Sequence, residues 1–188
     1  SQGKPVPDEK LAVPMVSSDY RHTLALMADG SVWGWGYNMS SQLGSGGNIS
    51  KPKQIITRGG IEPLAGAVQV AAGMSHSAAL TYDGKVYVWG SNVTGQLGSN
   101  SPMTPGSGTQ YPTLVVKQDG SELDNIIYIA SGANHMLAVD ANGNVWSWGS
   151  NDRYQLGRGE LNINNGSVVG VNSNVAALVM MEDDRGNQ

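Results

Sequence analysis

The stretch HTLAL, residues 22–26, is apolar at consecutive positions, so both faces of a strand built from it are hydrophobic. A strand of that kind belongs in a sheet sandwiched between other sheets, whereas a half-buried strand alternates. It is followed by Asp29-Gly30, and the same order recurs with Asp83-Gly84 and Asn142-Gly143. Such pairs tolerate the positive φ of a two-residue hairpin turn, so each predicts a tight hairpin into a second strand containing Trp-Gly. Upstream, AVPMVSS, GAVQVAA and NIIYIAS are rich in β-branched residues; downstream lie PKQII, PTLVV and AALVM. They predict two more strands per unit, four in all.

The segments starting at His22, His76 and His135 align without a gap as far as Gly44, Gly98 and Gly157. Identical in all three are His22/76/135, Ala25/79/138, Gly30/84/143, Val32/86/145, Trp35/89/148, Gly36/90/149, Asn38/92/151, Gln42/96/155, Leu43/97/156 and Gly44/98/157. The chain therefore divides into a tail at 1–10 and repeats at 11–64, 65–123 and 124–188. Four-stranded repeats of about 40 to 50 residues are the signature of propeller blades. The fold class predicted is all-β: three four-stranded antiparallel blades of a partial or oligomer-completed propeller. Trp35, Trp89 and Trp148 are expected to fill one equivalent slot in the stack, and the glycine after each lets the chain turn away.

The run GMSHSAALTYDGKVYVWGSNVTGQLG, Gly73 to Gly98, resembles the repeat of the regulator of chromosome condensation family. The likeness extends over nearly all of Leu11 to Arg185 and implies a propeller, usually of seven blades. One departure is Asp19, which stands where the other units have Gly73 and Gly132; aspartate tolerates a left-handed conformation, so the turn is expected to survive. The resemblance implies several activities. Guanine-nucleotide exchange on a small GTPase relies on a whole ring and a projecting wedge, and no wedge is obvious here. Photoreception of ultraviolet light uses tryptophan in a GWRHT motif; Tyr20 stands at that position in the first unit, and all five tryptophans lie in the strands. Some bacterial relatives are secreted inhibitors or repeat modules of surface proteins. The glycine-containing connectors TRGGIEPLAGAV and KQDGSELDNII look more like theirs.

Composition narrows the chemistry. Cysteine is absent, which removes disulfides, thiolate metal sites and thiol nucleophiles, and leaves the compartment open. The formal charge is −4 with scattered basic residues, unlike a surface that binds phosphate backbones, so nucleic acid is not an expected partner. No run approaches the roughly 18 apolar residues of a membrane helix, and no signal peptide opens the sequence.

The histidines, His22, His76 and His135, share one repeat column. Equivalent positions in adjacent sheets lie roughly 10 Å apart, too far to share a metal with bonds of roughly 2 Å, so each is expected to tie a blade turn together. Asp140, Asn142 and Asn144 have the spacing that opens a calcium loop, but no downstream glutamate completes it. No hydrolase, zinc-protease, Walker or dinucleotide motif is present, and the run Glu182, Asp183, Asp184 reads as a solvated turn. Neither a catalytic residue nor a cofactor is expected. Sequons at Asn38, Asn48, Asn92 and Asn165 matter only in a eukaryotic secretory pathway, and two of them use the repeat asparagine.

Tyr20, Arg21, Tyr37, Arg153 and Tyr154 fall in turns where the repeat varies. Tyrosine and arginine are enriched at binding hot spots, which makes these the candidate partner-binding residues. The loop before the last strand also varies, from 45–51 through 99–111 to 158–175, polar and adaptable on a constant scaffold. The expected function is a non-enzymatic protein-binding or structural module, bacterial and extracellular or on the cell surface, with a cytoplasmic setting as the alternative. The alternative function is exchange on a small GTPase. The expected partner is another protein or further copies of the chain, in a homo-oligomer, a filament or a longer propeller.

Overall fold

A computed structural model describes residues 12–44, 46–57, 62–159, 161–164 and 167–181. The tail 1–10, the unit start at Leu11, the sequon at Asn165 and the run Glu182, Asp183, Asp184 lie outside these residues.

The protein is built from three four-stranded antiparallel sheets. The first contains β1 (Met15–Asp19), β2 (His22–Leu26), β3 (Val32–Gly36) and β4 (Ile49–Gln54) in that order. The second contains β5 (Ala67–Ala72), β6 (His76–Thr81), β7 (Val86–Ser91) and β8 (Gly108–Leu114). The third contains β9 (Ile126–Ser131), β10 (His135–Asp140), β11 (Val145–Gly149) and β14 (Ser173–Leu178). A two-stranded hairpin, β12 (Leu161–Asn164) with β13 (Ser167–Gly170), is inserted before the last strand of the third sheet. These are propeller-type blades. The central hairpins stand where the Asp-Gly and Asn-Gly pairs place them, but they close as three-residue loops and not as the two-residue turns expected: Met27, Thr81 and Asp140 N–H donate to the carbonyls of Ser31 (2.9 Å), Lys85 (2.9 Å) and Asn144 (3.0 Å), and only Gly30, Gly84 and Gly143 take positive φ. His22 lies opposite Gly36, His76 opposite Gly90 and His135 opposite Gly149.

The outer strands begin upstream of the segments PKQII, PTLVV and AALVM. The reason is a register shift repeated in every sheet, between Gly34 and Gly36, Val88 and Gly90, and Ser147 and Gly149. Opposite the single residue Trp35, Trp89 or Trp148 the outer strand carries three, 50–52, 110–112 or 174–176, so the extra residues belong to the outer strand, which bulges and bends there. At Gly90 φ is 103° and a Cβ would meet the Ser75 carbonyl at 2.6 Å, so the turn away from the bulge needs glycine there.

The hydrophobic core lies between the sheets. One cluster joins Leu24, Leu26, Val32, Leu43 and Ile55 of the first sheet and its flanks to Ala67, Val70, Ala79 and Trp89 of the second. The other joins Leu80, Val86, Val88, Leu97 and Val115 to Ile126, Ile129, Met136 and Trp148. Each sheet thus has a leading face toward the unit before it and a trailing face toward the unit after. The connectors between units are closed by backbone bonds at their ends: Thr57 N–H donates to the Glu62 carbonyl at 2.8 Å, and Lys117 N–H to that of Ser121 at 2.8 Å.

The tryptophan slots are not equivalent. Trp89 and Trp148 are fully buried, and their indole N–H groups cross to the preceding unit, donating to the carbonyls of Gln42 (2.8 Å) and Gln96 (3.1 Å). Trp35 sits on the leading face of the first sheet, where no unit precedes it among the described residues, and is partly exposed. Trp89→Ala is expected to cost about 3 to 5 kcal/mol in urea melts, the usual range for a buried aromatic, and Trp35→Ala less than half of that. A loss below about 1 kcal/mol for Trp89→Ala would rule out the buried stack.

Candidate functional site

The loops that follow β3, β7 and β11 all lie at the same end of the sheets, and the repeat columns build them. Asn38, Asn92 and Asn151 accept, through Oδ1, the backbone N–H of Leu43 (2.7 Å), Leu97 (3.1 Å) and Leu156 (3.0 Å). Gln42, Gln96 and Gln155 accept, through Oε1, those of Ser40 (3.0 Å), Thr94 (2.9 Å) and Arg153 (2.8 Å). Side chains that close the turn this way satisfy buried donors and fix the loop's shape. The sequon residues Asn38 and Asn92 are buried by this work, with Nδ2 donating to backbone carbonyls.

Onto this scaffold the first unit places a cationic-aromatic cluster. Tyr20, at φ 49°, turns the β1–β2 connection and leaves its ring largely exposed. Arg21 donates from Nη2 to the Tyr20 hydroxyl at 2.8 Å, and its guanidinium carbon lies 4.5 Å from the Tyr20 ring centroid and 5.5 Å from that of Tyr37. Both distances suit a cation–π contact, and the arginine is thereby held in one orientation at the surface. The structure therefore brings Tyr20, Arg21 and Tyr37 together. Arg153 and Tyr154 stand apart from them, in the loop after β11 at the same end, with Arg153 Nε 3.9 Å from Asp152 Oδ2.

Between the two groups lie exposed apolar side chains that residue-type reasoning passed over: Met39, Met74 and Val93. Their signal was available, because Met39 and Val93 occupy the column that holds Asp152 in the third unit. A groove of about 300 Å³ runs here, lined by Met39, Ser40, Ser91, Val93, Ser107 and Thr109 among others. Its lining offers hydroxyls, thioether and aliphatic surface.

The left-handed residue of the first turn is Tyr20, which corrects the role expected of Asp19. Glycine at 73 and 132 answers a different need, since a Cβ there would collide with the imidazole of His76 or His135. The histidines too do more than tie their own blade turn. His22 Nε2 lies 3.0 Å from Ser77 Oγ, and His76 Nε2 3.1 Å from Ser131 Oγ, both in the next unit. Ser77 donates its own hydroxyl to the Gln42 carbonyl (2.7 Å) and Ser131 to that of Gly132 (3.0 Å). The imidazoles are therefore the donors, neutral and protonated at Nε2. Burial pushes His22 down to about 4 against an opposing pull from Asp19, and His76 down to about 3 with further repulsion from His22 and His135. Asp140, the head of the calcium-like spacing, spends its carboxylate on the N–H groups of Asn142, Asn144 and Trp146, and these bonds hold its pKa at about 2.

A pH dependence follows. Both histidines have folded pKa values below the unfolded value of 6.5, so the unfolded chain binds protons that the folded one rejects. The stability they contribute is complete above pH 6.5 and is lost as pH falls toward 4. Each contributes a slope of up to about 1.4 kcal/mol per pH unit, so unfolding free energy at pH 5 is expected to be about 2 to 4 kcal/mol below that at pH 7. His76→Asn should remove about half of the difference. A flat profile in urea melts between these pH values would contradict the buried neutral pair.

Comparison with known proteins adds the following. A family model described as the regulator of chromosome condensation (RCC1) repeat matches residues 29–80, 83–139 and 142–171. The human E3 ubiquitin-protein ligase HERC2 is 38% identical over 144 residues, covering 76% of this chain and 3% of that protein. The mitochondrial RCC1 domain-containing protein RUG3 of Arabidopsis thaliana is 36% identical over 151 residues, 78% of this chain and 32% of that one. The structure of Prp20p from Saccharomyces cerevisiae superposes with a TM-score of 0.68 at 24% identity, covering 89% of this chain and 38% of that one. The chain thus spans about a third or less of the length of HERC2 and RUG3.

Proposed function

Because the chain belongs to the regulator of chromosome condensation repeat family, we propose that it is a non-enzymatic module that binds another protein through the loop end of its blades and assembles through its sheet faces. The observation that carries the binding half is the Tyr20–Arg21–Tyr37 cluster, in which two tyrosine rings hold one guanidinium outward. An arginine fixed in this way loses little conformational freedom on contact, and the neighbouring Met39, Met74 and Val93 supply apolar surface that a partner would cover. Binding of this kind fits the family. Prp20p binds Gsp1p and histones, and HERC2 and RUG3 embed a match to this chain in much longer proteins.

Exchange on a small GTPase is the second reading, and it draws on the likeness to Prp20p. The cellular setting we propose is extracellular or at a bacterial surface, on the strength of the glycine-containing connector sequences TRGGIEPLAGAV and KQDGSELDNII; cell fractionation with an antibody to the chain tests it.

The binding reading is tested by placing a photo-reactive amino acid at Tyr37 and, as a control, at the exposed Lys53 on β4, and cross-linking in the native host. A discrete partner captured at 37 and not at 53, and reduced at least tenfold by Arg21→Ala, is the expected result. A truncation at a hot spot costs about 2 kcal/mol or more, which corresponds to roughly thirtyfold in affinity. Equal capture at both positions would remove the reading. Retention of a nucleotide-free GTPase on the immobilised chain would select the exchange function instead.

A further inference from the structure

Resting on the loop-end reading above, we propose that the partner presents a short segment in which an aspartate or glutamate carboxylate docks on Arg21, while the uncharged residues beside it lie along the groove at Met39.

Arg21 is exposed, and among the described residues no carboxylate lies within salt-bridge distance of it. The tyrosine rings hold the guanidinium, and Nη2 spends one N–H on the Tyr20 hydroxyl, so Nε, Nη1 and the second Nη2 hydrogen remain. That is the fork a carboxylate accepts in a bidentate pair. A phosphate group is recognised by clusters of arginine, and this cluster holds one cation. An exposed ion pair alone is worth little, but a partner that covers Met39, Met74 and Val93 takes this one out of water. Met74, in the column of Tyr20, is 36% exposed with a unit on either side of it, so exposure at this position does not depend on where the sequence begins.

A second donor points to the same chemistry. In the third unit Gln155 Nε2 donates to Asp152 Oδ1 at 3.0 Å, so there a carboxylate of the chain itself sits on the amide. Gln42 is oriented alike: its Oε1 accepts the N–H of Ser40 as that of Gln155 accepts the N–H of Arg153. Met39, however, stands in the column of Asp152, and Gln42 Nε2 is buried with no acceptor among the described residues. The first unit thus keeps the amide that receives a carboxylate and lacks the carboxylate. Met39 is 68% exposed and unbranched, so its side chain can swing aside for an oxygen brought by the partner.

The groove lies at the junction of the first and second units, between Met39, Ser40 and Ser41 on one side and Ser91, Val93 and 106–110 on the other. No charged residue is among those that line it, and its volume of about 300 Å³ is at the lower end for ligand sites. It suits a few uncharged residues, whose peptide groups the serine hydroxyls can meet, and it disfavours a further charge by the cost of desolvating it.

Panning a phage-displayed library of short random peptides on the immobilised 188-residue chain tests the proposal. Enriched peptides are expected to share an aspartate or glutamate beside uncharged residues, and its replacement by the matching amide should weaken binding about tenfold or more in fluorescence anisotropy. Arg21→Lys keeps the charge but loses the fork, and should weaken binding to a similar extent, whereas Lys53→Ala on β4 should leave it unchanged. Met39→Asp gives Gln42 the internal acceptor that Gln155 has, and should also cost about tenfold or more, with circular dichroism confirming that the sheets persist. The proposal is overturned by a failure to enrich any peptide, by enriched peptides without a carboxylate, or by binding indifferent to Arg21→Lys or Met39→Asp. Tighter binding of a peptide carrying phosphoserine at the acidic position would overturn it too. If the cross-link at Tyr37 still captures a discrete partner in any of these cases, the loop-end reading stands and only the partner's chemistry falls.

Discussion

Every feature of this protein depends on one requirement: a sheet that is apolar on both faces must have a neighbour on each side. The units lack a core of their own. Leu24, Leu26 and Val32 are buried only because Val70, Ala79 and Trp89 stand opposite, and Leu80, Val86 and Val88 only because of Ile129, Met136 and Trp148. Stability in such an array is a sum over junctions, not a property of a single centre. Polar groups trapped at a junction must then be satisfied across it. The Gln42 carbonyl does this twice, taking the indole N–H of Trp89 and the hydroxyl of Ser77.

That requirement also separates what could be read from the residues from what could not. The place of the central hairpins, the four strands of each main sheet and the stacked tryptophans follow from local chemistry: a turn glycine that accepts positive φ, and a strand with no polar face. Where each outer strand begins does not follow, because pairing with β3, β7 and β11 is displaced by extra residues in the outer strand opposite the tryptophan, and composition carries no trace of a register shift. The β12–β13 hairpin was likewise hidden in a stretch rich in Asn and Gly that reads as loop. The histidine column was identified, but its reach was not. A ring that looks like a tie within one turn in a linear sequence proves to span to the next sheet, and only the stacking distance decides between the two.

The loop end shows the same division between constant and variable columns. Asn and Gln are fixed because their side chains close the turn, and once the turn holds its shape the positions between them are free to differ. Among the variable residues, the structure unites Tyr20, Arg21 and Tyr37 and leaves Arg153 and Tyr154 two sheets away. Residue type was sufficient to nominate all five; sequence distance gave no means of sorting them into one cluster and one pair. Met39 and Val93 went unnoticed because an apolar residue in a repeat is read first as core.

Apolar burial is nearly interchangeable from junction to junction, so it cannot by itself say which sheet follows which. The polar contacts differ, however. At the first junction His22 meets Ser77, which sits beside the next unit's histidine; at the second His76 meets Ser131, four residues before it. The second junction adds the grip of Gln69 on Ile129, at a column where the first unit has Met15 packed into the apolar cluster. A mismatched pairing would bury one of these groups without its partner, at a cost of about 1 to 3 kcal/mol each. The order of the units is thus written in a few buried polar pairs, while the strength of the array comes from the aliphatic and indole surface around them.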